Sequence, residues 1–318
     1  MKATIVLIAG AFVIAHAAAQ NYPSKPIRLI VPFASGGGGD GALRPLAPGM
    51  SAALGQQVVI DNRGGAGGII GMELAAKSVP DGDTLAMSSA GFTAMPGLYK
   101  TLPFDPVRDF SAIIIAESGS YLLVVNPATP WKSVGELIAD AKSRPGRFAY
   151  ASAGSGSSIH LAGELFKSMA GVDMTHVPYK GAGPAIVDVV SGQVAAMFAS
   201  ALNALSLVKA GKLRALAVTT AKRSTLAPEL PTVAESGLPG FDVAGWYGFV
   251  APAKTPPDIV RKLNLAINYA LASPELVERL RALGLEPVGG TPEAAALLIR
   301  NEVARWNKVV RDARIPPQ

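Results

Sequence analysis

Glycine- and serine-rich stretches recur along this chain, each set between a short apolar run and a helical pattern. "VPFASGGGGDGALR" carries Gly36–Gly39 after the run Ile27–Phe33. Gly64-Gly65-Ala66-Gly67-Gly68 follows Gln57–Asp61, and Ser88-Ser89-Ala90-Gly91 closes Thr84–Ser88. Ser152-Ala153-Gly154-Ser155-Gly156-Ser157-Ser158 follows Phe148–Ser152, and Lys180-Gly181-Ala182-Gly183 follows Thr175–Tyr179. A repeated order of strand, bare loop and helix restricts the fold to α/β, with parallel sheets and helices on both faces. In such sheets ligands bind beyond the carboxyl ends of the strands. There the next helix offers unpaired N–H groups, and small residues let a ligand reach them. The loops before residue 92 and those between 152 and 183 therefore form two anion-accepting surfaces, most simply arranged around one cleft.

Further strands are expected at Ser111–Ala116, Tyr121–Asn126, Ala195–Ser200, Leu213–Thr219 and Trp246–Ala251. Ser133-Val134-Gly135-Glu136 reads as a capping box opening a helix, and Pro184 as a first helical residue. Pro45 and Pro48 fall inside the first helical pattern, and an interior Pro costs about 3 kcal/mol, so that helix is expected to be delayed or kinked. From Thr255 the chain reads as three helices. They are opened by Thr255-Pro256-Pro257-Asp258, Ser273-Pro274-Glu275 and Thr291-Pro292-Glu293. Leu298, Ile299, Val303, Trp306 and Val310 form the apolar face of the last, with Trp306 as core.

Residues 1–19, MKATIVLIAGAFVIAHAAA, have the form of a secretory signal peptide: a basic start at Lys2, an apolar centre and small residues before Gln20. The apolar run is short for a membrane span of about 20 residues. The chain has no Cys, which removes disulfides, thiol catalysis, thiolate metal sites and lipid attachment at Cys. Its 29 basic side chains exceed the 23 acidic ones only mildly and are scattered, not the dense basic stripe that nucleic acid requires.

One enzyme motif matches the first glycine loop. Gly36-x-Gly38-x-x-Gly41, with Asp61 at the end of the next strand, fits a dinucleotide-binding fingerprint and would make the chain an NAD(P)-dependent oxidoreductase. An export signal argues against it, since no nicotinamide pool is expected outside the cytoplasm. No nucleophile elbow, phosphate loop or metal-ligand spacing appears. His160, after the serine run, is expected to cap or line the cleft, and His176 to be satisfied core. Asp40 reads as a helix cap. Arg44, Arg63 and Lys180 are equally compatible with facing a ligand or facing solvent.

Several segments together carry a more specific signal: "YPSKPIRLIVPFASGGGGD", "GQQVVIDNRGGAGG", "LYKTLPFDPVRDF", "YASAGSGSSIHLAGELFKSMAGVDMTHVPYKG" and "AGKLRALAVTTAKRSTLAPELPTVAESGLPGF". In this order they resemble the solute-binding receptors of tripartite tricarboxylate transporters, the Bug family. The resemblance implies a periplasmic-binding-protein-like fold (type II), with two lobes that each have a central sheet flanked by helices. It implies capture of a small carboxylate without catalysis. The positions matching the family's ligand loops are Phe33, Ser35, Gly37, Gly38, Ala66 and Gly67 on one lobe. On the other they are Ser152, Ser155, Ser157 and Ser158, with His160 nearby. Ser88 at the third strand end and Ser200 complete the candidate set. Ala199 stands where the family often has an acid, which disfavours a ligand amine and favours a plain carboxylate.

The expected division is a signal peptide at 1–19, a first lobe of 20–116 with 220–318, and a second lobe of 117–219. The lobes are hinged on Ser111–Ala116 and Leu213–Thr219. The expected ligand is a di- or tricarboxylate or an aromatic acid. No cofactor, metal or nucleic acid is expected, and the protein is read as a periplasmic monomer serving membrane transporter subunits. A sensor for the same solutes is the alternative.

Overall fold

The computed structural model describes residues 22–33, 35, 38–179, 181–312, 315 and 317. The expected signal segment, Gly36, Gly37 and Lys180 lie outside these residues. The first unit alternates as expected. It runs through β1 (Ile27–Val31), α1 (Gly38–Leu43), a 3-10 turn at Arg44–Leu46, α2 (Ala47–Leu54), β2 (Val58–Asn62), a second 3-10 turn at Ala66–Gly68, α3 (Ile69–Ala76), β3 (Thr84–Ser89) and α4 (Ala90–Leu98). β4 (Phe110–Val125) follows, then α5 (Val134–Ser143), β5 (Ala149–Ser152), α6 (Ser158–Ala170), β6 (Thr175–Pro178), α7 (Ala182–Val190), β7 (Ala196–Ser200), α8 (Ala201–Lys209) and β8 (Arg214–Val218). β9 (Ala244–Pro252), α9 (Pro257–Leu271), α10 (Pro274–Ala282), β10 (Glu286–Pro287) and α11 (Pro292–Asp312) complete the chain.

The sheets are mixed, which corrects the all-parallel expectation. In the first, β2, β1 and β3 are parallel, and β9 enters antiparallel beside β3. In the second, β6, β5 and β7 are parallel, while β4 runs antiparallel between β7 and β8. β4 belongs to both. Its residues from Phe110 to Ser120 pair with β9, and those from Tyr121 to Val125 pair with β7. The sequence suggests two strands here because Ser118-Gly119-Ser120 resembles a turn. Gly119 serves another purpose, since a Cβ there would lie 2.7 Å from the Gly284 carbonyl oxygen. The glycine admits a neighbouring backbone without ending the strand.

Apolar residues cover both faces of the first sheet. Leu29, Val31, Met87 and Phe249 pack with α2 and α9 on one side, and Ile30, Ala86 and Val250 with Phe92, Phe104 and Phe110 on the other. A separate cluster surrounds the second sheet, with Tyr150, Phe166, Met197 and Phe198. Burying each such side chain stabilises by roughly 1.5–3 kcal/mol. Two stretches that the sequence reading groups with 20–116 join this second cluster. They are Val233, Leu238, Phe241 and Val243 from the segment after β8, and Trp306, Val309 and Val310 from α11. The N-terminal half of α11 packs on the first sheet through Ala295 and Ile299.

Pro45 sits in the 3-10 turn and Pro48 at the start of α2, where a missing N–H costs nothing, so the interruption occurs as expected. The Ser133 box forms: Ser133 Oγ accepts from Glu136 N–H at 3.2 Å, and Glu136 accepts from Lys132 N–H at 2.6 Å. Thr255 does not cap α9; its hydroxyl donates to Pro252 O at 2.8 Å. Pro184 is the third residue of α7, whose N-cap is Gly181.

Candidate functional site

The strand ends of both sheets open onto one cavity of about 520 Å³. From the first sheet come Phe33, Gly39, Gly67 and the start of α4, Ser89–Phe92. From the second come Ala153–Ile159, Gly181, Ala182, Ser200 and Asn203. Tyr121 of β4 and Gly245, Trp246 and Tyr247 of β9 supply the floor where the sheets meet. None of the described lining residues carries a charged side chain. The polarity comes from backbone and hydroxyls. α4, α6, α7 and α8 all begin at this wall, and the N-caps Ser89, Gly181 and Ser200 make no side-chain capping bond. First-turn N–H groups of these helices thus face the cavity side, where their partial positive charge favours an anion.

Of the residues selected from sequence, Phe33, Gly67, Ser155, Ser157, Ser158 and Ser200 line the cavity. Ala66 precedes Gly67 with a left-handed φ of 47°. Gly67 itself has φ 66°, and a Cβ on it would lie 2.7 Å from the Tyr99 hydroxyl. Gly38 opens α1 beside the lining Gly39, and Ser35 is exposed and not among the described lining residues. Gly37 falls outside the described residues. Ser88, Ser152, His160 and Ala199 are buried behind the wall and do not line it. At β3 the lining hydroxyl belongs to Ser89, one residue on, since neighbours in a strand point to opposite faces.

The nearby charges are engaged elsewhere. Asp40 is no N-cap; it is the third residue of α1, ion-paired with Arg44 at 2.6 Å and accepting from Asn62 Nδ2 at 3.0 Å. Asp61 accepts from Arg28 at 2.7 Å and from Arg63 at 3.0 Å. Burial pushes its pKa up, but the Arg28 and Arg63 hydrogen bonds outweigh that and the net shift is down. Gly38 and Gly41, the last two glycines of the dinucleotide pattern, lie inside a six-residue helix.

Sequence reasoning missed the aromatic floor: Tyr99, Tyr121, Trp246 and Tyr247. The tetrad Gly245-Trp246-Tyr247-Gly248 held the only signal, large rings between glycines in a strand. A Cβ at Gly245 would lie 2.6 Å from the Tyr121 hydroxyl, so this glycine makes room for that ring. Burial raises the pKa of Tyr121 against the opposing hydrogen bond of Ser158. It also raises that of Tyr247, helped by Tyr121 and Glu117, and both phenols stay protonated. Glu117 pairs in register with Tyr247 and is fully buried. Neither of its carboxyl oxygens has a hydrogen-bond partner among the described residues, and burial pushes its pKa up to about 9.

Comparison with known proteins accords with this geometry. Residues 42–315 match the family described as the tripartite tricarboxylate transporter family receptor. The chain belongs to this family. BugT of Bordetella pertussis is 41% identical over 309 residues, covering 96% of this chain and 95% of that protein. The solved structure of Rhodopseudomonas palustris Rpa4515 with adipate is 40% identical with a TM-score of 0.81, covering 93% of this chain and all of that one. MatC of Rhodopseudomonas palustris with bound malate is 34% identical with a TM-score of 0.78, covering 91% and 100%. The fold is that of the family's periplasmic binding proteins, a mixed α/β structure with a curled central sheet flanked by helices. Members are receptors and not enzymes, which sets aside the oxidoreductase reading. No described helix is long and apolar enough to cross a membrane.

Proposed function

We propose that this chain is a periplasmic receptor that captures a small carboxylate between its two sheets and presents it to membrane transporter subunits. One observation carries the reading. Helix N-termini and glycine loops from both sheets converge on a single cavity whose described walls hold no charged side chain. Main-chain amides are then the donors for the carboxylate, and each sheet carries a jaw. The first jaw is built on β1, β2, β3 and β9, and the second on β5, β6 and β7, with residues 220–243 riding on the second. Ligand contacts made to both jaws favour the closed form by their differential affinity. Residues 1–19 serve as the export signal. Family relatives with adipate and malate bound support the ligand class.

The walls refine that class. Phe33, Phe92, Met95, Leu98, Tyr99 and Trp246 offer an apolar surface to the body of the ligand. A compact acid would press its second or third carboxylate against that surface, desolvated without a charged partner, at a cost of several kcal/mol, whereas an extended diacid keeps its two carboxylates apart across an apolar chain. The ligand is therefore an acid with an apolar body, aliphatic or aromatic, and not a compact tricarboxylate. A thermal-shift series with adipate, malate, benzoate and citrate tests this. Adipate or benzoate at a hundredfold excess over its Kd should stabilise by about 2.7 kcal/mol. A shift with citrate alone would reverse the ligand assignment, and no shift with any acid would remove the receptor reading.

A further inference from the structure

A buried polar cluster lies directly behind the serine loop that forms one side of the cleft. Ser152 Oγ lies 2.6 Å from His176 Nε2 and accepts the Gly154 N–H at 3.1 Å. Ser157 Oγ donates to Gly154 O at 2.7 Å. Inside the loop, Gly156 N–H donates to His160 Nδ1 at 3.0 Å. The His160 ring stacks on the His176 ring, with centroids 3.9 Å apart and planes 21° from parallel. Behind them stands Glu164. Its Oε1 accepts from the Tyr150 hydroxyl at 2.7 Å and from Lys167 at 2.8 Å, and lies 4.0 Å from His160 Nε2. His160 is only 5% exposed, so it cannot be a direct ligand for a solute in the cleft.

The geometry fixes the protonation state. A ring nitrogen that accepts from a backbone N–H carries no proton, so His160 is the neutral tautomer with its proton on Nε2, toward Glu164. Two neutral imidazoles can stack at this distance, whereas two imidazolium rings repel. A proton on Nδ1 would turn the acceptor into a donor facing another donor, and the loop would have to leave.

We propose that His160 is a positioning residue: its neutral ring, stacked on His176 and backed by Glu164, holds Gly154–Ser158 in the form that accepts an anion. Acid therefore releases ligand by remodelling this loop. The groups facing the stack are Glu164 and Lys167 from α6, and Tyr150 and Ser152 from β5. Burial is the largest influence and lowers the pKa of both histidines. Glu164 opposes it and Lys167 adds to it on His160, and on His176 the second influence is His160 itself. The pKa of His176 comes down to about 4, so both rings are neutral at pH 7 and the loop loosens only in acid. The pH effect on binding rests on the carboxylate reading; the effect on the loop does not.

The test uses full-length mature protein, wild type, His160→Ala and His160→Gln. Glutamine keeps an acceptor that cannot be protonated. Adipate titrations should show binding weakened about tenfold in His160→Ala at pH 7, with a large part restored in His160→Gln. Between pH 7 and about 3.5, a range that spans the His176 titration, wild type should lose affinity faster than His160→Gln. The ratio of the two cancels the titration of adipate itself. Hydrogen exchange of the ligand-free 153–158 segment should be faster in His160→Ala and, in wild type, should exceed its ordinary pH trend in acid. A ratio flat with pH, or equal binding in wild type and His160→Ala, would overturn the proposal. If wild type binds no carboxylate, the receptor reading falls, and loop exchange alone decides this one: unchanged exchange in His160→Ala overturns it.

Discussion

Gly67 lines the cavity at a position where one added carbon would meet another lining residue. Its φ of 66° suits glycine, and an added Cβ would meet the Tyr99 hydroxyl at 2.7 Å. Gly67→Ala is expected to destabilise by about 1 kcal/mol or more. It should also weaken acid binding about tenfold, or about 1.4 kcal/mol. Calorimetric titration beside a urea melt separates the two effects, and unchanged affinity would remove Gly67 from the site. Glu117 makes a second residue-scale prediction. Its pKa rises from an ordinary 4.5 to about 9 on folding. The folded state therefore holds the proton more tightly, and stability is full below the ordinary carboxylate range and falls as pH rises toward 9. Glu117→Gln removes this loss. Its stability relative to wild type should climb from pH 5 to 8.5, by on the order of 3 kcal/mol at pH 7. Parallel pH profiles in urea melts would show that Glu117 is already ionised. At this scale the sequence was legible where the residues lining the cavity sit in bare or hydroxyl-bearing loops. It indicated Gly67, Ser155 and Ser157 because a bare or hydroxyl-bearing loop is visible in one dimension. It misjudged Ser88 against Ser89, because the direction in which a strand residue points depends on register, which only pairing sets.

Elements were legible to the extent that their signals are local. Apolar runs, the Ser133 box and the prolines at 45 and 48 each act within a few residues, and they placed the strands and helix starts to within one or two positions. β4 was not legible as one strand because Gly119 answers to Gly284, far away along the chain. The destination of α11 was hidden for the same reason. Its heptad-like apolar face indicates burial but not the partner, and in fact its first half packs on one sheet and its second half on the other. Trp306 anchors that second half, 1% exposed, with its indole N–H donating to Glu302 at 2.7 Å. Trp306→Ala should cost about 3–5 kcal/mol. A denaturant midpoint close to wild type would show that α11 does not tie the two sheets together.

On the scale of the whole molecule, two sheets share one long strand, and their strand ends turn inward on a common cavity. A shared β4 and the neighbouring β9 place Tyr121, Trp246 and Tyr247 at the floor, so the cleft has a base of paired strands between walls that come from separate hydrophobic clusters. In the proposed reading the grip comes from fixed main-chain dipoles at helix starts, set beside an apolar lining. The recurrence of the loops pointed to such a cleft, while the rings on its floor come from residues distant in sequence. The most direct measurement is a crystal structure with the tightest-binding acid from the adipate, malate and benzoate series. We expect one carboxylate to accept main-chain N–H bonds from the 66–68 or 89–91 turn and, at the same time, from 154–158 or 181–182. An acid seated outside the cavity, or held by loops of only one sheet, would contradict the shared grip.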